Sequence, residues 1–179
     1  VNMNKCEIIT IANQKGGVGK TTTAVNLSAS LAFKGKKVLL IDVDPQSNAT
    51  TSLGVHRDEV EFYLYQVLTG SKKISQIIRK TSIDSLFLAP SNIGLVGFEK
   101  EYYNKKIQGR EEILKKRISE IKYDYDFIIL DSPPALGPLT INALTASDSV
   151  LIPIQCEFFA LEGLAQLLST IKLLKEQIN

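Results

Sequence analysis

Residues 11 to 22 read Ile-Ala-Asn-Gln-Lys-Gly-Gly-Val-Gly-Lys-Thr-Thr. Glycines, lysines and threonines at this density can do one kind of chemistry well, which is to hold phosphate. Gly16, Gly17 and Gly19 let the backbone fold tightly, so that its N–H groups converge on phosphate oxygens. A helix starting near Gly19 would add its positive dipole end. Lys20 supplies a mobile cation for β/γ phosphates, and Thr21 supplies a hydroxyl for Mg²⁺. The expected nucleotide-binding set is Lys15, Gly16, Gly17, Val18, Gly19, Lys20, Thr21 and Thr22. An ordinary glycine-rich turn before a helix rarely carries Gly-Lys-Thr at this place.

Three acids follow at the ends of apolar runs. Asp42 and Asp44 close the run Val38-Leu39-Leu40-Ile41. Two residues apart in extended chain, they point to the same side. In open α/β sheets ligands bind beyond the carboxyl ends of strands, which is where both would sit. Ordinary turn chemistry also explains an Asp-Pro here, so the signal is weak alone and strong after a phosphate loop. Asp131 ends Phe127-Ile128-Ile129-Leu130 in the same way and reads as a Walker B acid, contacting Mg²⁺ through water. The loop at 132–137 would then sense the γ-phosphate. A helix N-cap or turn acid is the alternative for Asp131.

These residues need strands to end beside the loop and helices to carry the chain back. Strand-like runs lie at 7–12, 38–43, 86–89, 127–130 and 149–154. Most are continuously apolar rather than alternating, as parallel strands buried on both faces are. Helical periodicity covers 21–33, 110–122 and 161–178, the last with Leu164, Leu168, Ile171, Leu174 and Ile178 on one stripe. Shorter helices are expected near 62–68, 74–78 and 93–103. The pattern predicts a doubly wound α/β domain over residues 1–179, with a mostly parallel sheet and helices on both faces.

Composition narrows the classes. The chain has 179 residues, 44% of them hydrophobic, enough for a core and incompatible with disorder. A net charge of +2 excludes a strongly basic nucleic-acid coat and an acidic tail. No run approaches the ~18 apolar residues of a membrane span. The first residues lack a signal-peptide pattern. Cys6 and Cys156, each in an apolar run, are expected on strands as reduced packing residues. With His56 as the single histidine, zinc is effectively excluded.

The loop departs from the general pattern G-x-x-x-x-G-K-[ST], because Gln14 stands where its first glycine belongs and Lys15 precedes Gly16-Gly17. It resembles the deviant Walker A motif K-G-G-x-x-K-[ST] of the ParA/MinD ATPases. Asp44-Pro45-Gln46-Ser47-Asn48-Ala49-Thr50, Ala89-Pro90-Ser91-Asn92, the segment 131–140 and Pro153-Ile154-Gln155-Cys156-Glu157 are similar to ParA/Soj partition ATPases in particular, and the likeness spans essentially the whole chain. The resemblance implies ATP and Mg²⁺ as cofactors. It implies Lys15, Lys20 and Asp44 as catalytic residues, with Lys15 reaching a partner's nucleotide and Asp44 positioning water. Thr21, Asp42 and Asp131 would serve the metal. An ATP-dependent homodimer would bind DNA without sequence preference and be stimulated by a ParB/Spo0J-type protein, with a cytoplasmic, nucleoid-associated location and no membrane expected. Residues 100–122 carry eight basic against four acidic side chains. That excess suits a DNA-facing patch and equally a solvated helix face. ParA-type chains usually continue further, so 179 residues are expected to lack the C-terminal part that contacts adenine and much of the DNA. A MinD-like membrane-positioning ATPase and a nucleotide-holding regulatory module are the other readings.

Overall fold

The computed structural model describes residues 5–56, 59–104, 108–157 and 160–178. In chain order the elements are β1 (Glu7–Ile11), α1 (Lys20–Phe33), β2 (Val38–Asp42), α2 (Asn48–Ser52), α3 (Leu64–Leu68), β3 (Arg79–Lys80), β4 (Leu86–Ala89), α4 (Leu95–Asn104), α5 (Ile113–Ser119), β5 (Phe127–Asp131), α6 (Pro138–Ala146), β6 (Ser149–Leu151) and α7 (Ala160–Ile178). The strands form one sheet in the order β3-β4-β2-β5-β1-β6. All pairings are parallel except β3 with β4. The expected α/β architecture is therefore present.

The pleat divides the core by sheet face. On β2, Leu39 and Ile41 join one cluster while Val38 and Leu40 join the other. On β5, Ile128 and Leu130 separate from Ile129 in the same way. Each strand must therefore be apolar at every position, which is why these runs do not alternate.

Several expectations need correction. β6 stops at Leu151, not 154, and is half exposed; Pro153 has no N–H to continue the ladder. The helix expected over 110–122 is broken into a 3₁₀ turn at Arg110–Glu112, α5, and a second 3₁₀ turn at Lys122–Asp124. On α7 the inward position is Leu167 (1% exposed), whereas Leu168 is 51% exposed. Spacings of three and four both fit a helical stripe, so periodicity could not choose between these neighbours. The side chain of Ile178 lies outside the described residues. Cys6 is buried just before β1, but Cys156 is exposed in the loop beyond β6, not on a strand.

Candidate nucleotide site

The sheet register builds the site. Asp42 lies beside Asp131, and Asp131 beside Ile11, so the loops leaving β2, β5 and β1 start at one level. Residues 16–19 form the turn before α1. Gly17 (φ 75°) and Gly19 (φ 80°) take the left-handed conformation, and no atom lies within 4 Å of where either Cβ would stand. Glycine is needed there for backbone conformation, and the loop's inner face stays open. Asn13 braces the loop. Its Oδ1 accepts from the Lys15 N–H (3.1 Å), and its Nδ2 donates to the Pro153 carbonyl (2.6 Å).

Lys20, 7% exposed, donates from Nζ to the Lys15 carbonyl at 2.9 Å, across the turn. Burial lowers its pKa, while Asp131 and Asp44 oppose that shift. The next residue, Thr21, donates from Oγ1 to Asp131 Oδ2 at 2.8 Å. The other oxygen, Asp131 Oδ1, is buried and has no hydrogen-bond partner. Burial pushes the Asp131 carboxyl up to about 6; Thr21 and Lys20 pull it down and Asp44 pushes it up. A hydroxyl beside a carboxylate oxygen left open is the donor set a hard divalent cation takes.

Asp42 has a different setting. It is wholly buried, and both its oxygens are used inside the protein. Oδ2 accepts from Thr50 N–H (2.9 Å) and Thr50 Oγ1 (2.7 Å), and Oδ1 accepts from Asp44 N–H (3.1 Å). Burial, then Asp131, push its carboxyl up to about 7. The network continues, since Ser91 N–H donates to Thr50 Oγ1 (3.0 Å) and Ser91 Oγ donates to the Asp44 carbonyl (2.6 Å). Thr50 and Ser91 thus seat the Asp44 turn. Both fell within the motif stretches quoted above, but their side-chain bonds cross from separate loops, which no local pattern reveals.

Lys15 pairs with Glu157 of its own chain. Gln155 Nε2 donates to the Gly17 carbonyl at 3.4 Å, so the loop after β6 lies against the phosphate loop. Glu157 lies in the Pro153–Glu157 stretch quoted above, but nothing local in that stretch marks it as the partner of Lys15. The loop at 132–137 starts with Ser132 Oγ donating to the Ile11 carbonyl (2.8 Å) and ends at Gly137, the N-cap of α6. Three of the six described basic residues in 100–122 pair with acids of the same segment, as Arg110–Glu111, Lys115–Glu112 and Arg117–Glu120. Lys105 and Lys106 lie outside the described residues.

Comparison with known proteins agrees with this geometry. The model of an AAA domain family matches residues 6–179. The sporulation initiation inhibitor protein Soj of Bacillus subtilis is 52% identical over 173 residues, covering 97% of this chain and 68% of that protein. The chain belongs to the ParA/Soj family of P-loop ATPases. Another member, the chromosome partitioning protein ParA of Myxococcus xanthus, is 48% identical, covering 96% of this chain and 60% of that one. The chain therefore spans about two thirds of the length of these curated relatives. Among solved structures, cobyrinic acid a,c-diamide synthase from Mycobacterium smegmatis with bound ATP analog and magnesium superposes with a TM-score of 0.91 at 40% identity, over 97% of this chain and 70% of that one. The loop at 16–19, Lys20, Thr21, Asp131 and Asp44 come together at the carboxyl edge of the sheet. Lys15 stands at its rim. No described helix is long and apolar enough to cross a membrane.

Proposed function

We propose that this chain is an ATP-hydrolysing switch for DNA partitioning. The observation that carries the reading is the buried, unpartnered Asp131 Oδ1 beside Thr21, directly under the phosphate loop. These residues fit Mg²⁺: Thr21 and Asp131 would hold it, with Asp42 adding negative charge behind them. When bound, the ion neutralises charge on β- and γ-phosphate oxygens. Residues 16–19 present N–H groups to the phosphates, and Lys20 exchanges its bond to the Lys15 carbonyl for phosphate oxygen. Asp44, held by Ser91 and by Asp42, orients water at the γ-phosphate. The relationship to Soj and ParA favours partitioning over the reaction named for the diamide synthase. An ATP-dependent homodimer, contact with non-specific DNA, a ParB/Spo0J-type stimulator, and a cytoplasmic, nucleoid-associated place follow the same reading. In that dimer Lys15 serves the partner's nucleotide.

The test is an ATPase assay with Mg²⁺, with and without DNA. Lys20→Ala should abolish ATP binding, and Asp44→Ala should stop turnover while ATP still binds. Normal ATP binding by Lys20→Ala would end the phosphate-loop assignment. Unchanged turnover by Asp44→Ala would remove it from catalysis.

A further inference from the structure

Gly137 closes the loop after β5. Its φ of −100° and ψ of −172° are open to any residue, so conformation does not call for glycine. Space does. A Cβ on Gly137 would lie 2.9 Å from Glu99 Oε1. Glu99 projects from α4, whose Leu95, Phe98 and Tyr102 are buried in the core, so the helix that carries it is fixed. Glu99 forms no hydrogen bond or ion pair among the described residues. Burial, and secondarily the charge of Asp44, hold its carboxyl above the ordinary range. Glu99 on α4 therefore lies against the Gly137 end of this loop and within electrostatic reach of Asp44.

We propose that Glu99 is a positioning residue of the hydrolytic step: its carboxylate sets where the Gly137 end of the 132–137 loop rests relative to Asp44. The proposal rests on the ATPase reading of the site. The start of the loop is tied to β1 through Ser132, and its middle is tied to α6 by Thr140 Oγ1, which donates to the Ala135 carbonyl. The Gly137 end has the Glu99 carboxylate against it. A γ-phosphate arriving near Asp44 brings more negative charge toward an unpaired carboxylate. Glu99 responds by moving or by taking a proton, and either response changes what Gly137 rests on. Occupancy of the phosphate site is in this way passed to the loop.

Glu99→Gln keeps the shape and removes the charge, while Gly137→Ala keeps the charge and displaces it. The readouts are kcat and KM for MgATP, and amide exchange across 132–140 with and without a non-hydrolysable ATP analogue. Each variant should lower kcat roughly tenfold with KM within about twofold, and the double variant should lose no more than the poorer single. In Glu99→Gln the loop's exchange should no longer respond to the analogue. Glu99→Gln removes a half-buried charge, so it should melt no lower than the parent, and it decides the question even if Gly137→Ala folds poorly. Parental kcat in Glu99→Gln, additive losses, or a loop that still responds to the analogue would each overturn the proposal. If the parent chain itself hydrolyses no ATP, the ATPase reading falls, and the exchange comparison still decides the role of Glu99.

Discussion

Asp42 and Asp131 stand side by side at the ends of adjacent strands, yet their surroundings give them different work. Both oxygens of Asp42 accept from Thr50 and Asp44, so an amide at this position must turn a donor toward a donor whichever way it faces. Asp42→Asn should destabilise the fold by about 1–3 kcal/mol in urea titrations. Asp131 has one oxygen bonded to Thr21 and one open. Asp131→Asn should leave stability nearly unchanged and lower Mg²⁺-dependent ATP affinity roughly 10- to 100-fold, read by calorimetry with and without the ion. Equal loss without Mg²⁺ would separate Asp131 from the metal. The cysteines differ as sharply. Burial first, then Asp148 and Asp126, push the Cys6 thiol up to about 11, above its ordinary 9.0. The folded state therefore keeps this proton after the unfolded chain has lost it. The Cys6 contribution to stability should fall as pH rises from about 9 through 11, and not below. At pH 8 iodoacetamide should modify exposed Cys156 and spare Cys6 until the protein is unfolded, as mass spectrometry would show.

The elements that were legible in the sequence are those with one environment along their length. β1, β2, β4 and β5 are short apolar runs closed by polar residues, and α1 has a glycine-rich start and a clear stripe. β3 escaped notice because it is two exposed basic residues, Arg79 and Lys80, paired antiparallel at the sheet edge. α6 escaped for the opposite reason. Of its nine residues, Pro138, Leu139, Thr140, Asn142, Ala143, Leu144 and Ala146 are all buried, so it has no polar face and no period to read. Its core position explains Asn142, whose Oδ1 accepts from Leu114 N–H (3.1 Å) and whose Nδ2 donates to the Arg110 carbonyl (3.1 Å). That side chain holds the start of α5 where the expected longer helix breaks into a 3₁₀ turn. Asn142→Ala would leave these backbone groups buried without partners and should cost about 2 kcal/mol, or somewhat more because a buried volume is also removed. Chemical denaturation of the purified variant measures this. A loss under ~0.5 kcal/mol would mean that water replaces the amide.

At the scale of the whole molecule, one proposed contact of the site reaches beyond this chain. Lys15, which the family resemblance sends to a second chain, is paired with Glu157 of its own. The phosphate loop, Lys20, Thr21 and the acids, which the structure brings together, stood out in the sequence because each lies in a contiguous motif. The Lys15–Glu157 pair could not, because it joins residues 142 apart whose meeting depends on where the loop after β6 falls. Both side chains are substantially exposed, at 39% and 56%. An ion pair so placed is worth at most about 1 kcal/mol, and less in salt. Releasing Lys15 to a partner therefore opposes association only weakly. Glu157→Gln should strengthen ATP-dependent dimerisation no more than about 25-fold, the equivalent of about 1 kcal/mol at each of the dimer's two pairs, and the gain should shrink as salt rises from ~50 to ~300 mM. Lys15→Gln should weaken the dimer while leaving monomer nucleotide affinity within about threefold, because its side chain is not among the groups that line the phosphate turn. Light scattering with Mg²⁺ and a non-hydrolysable analogue reads the first quantity, and titration at concentrations below dimerisation reads the second. Equal loss of both in Lys15→Gln would place its work within its own chain, and the pair with Glu157 would then be part of the nucleotide site rather than a contact that must open.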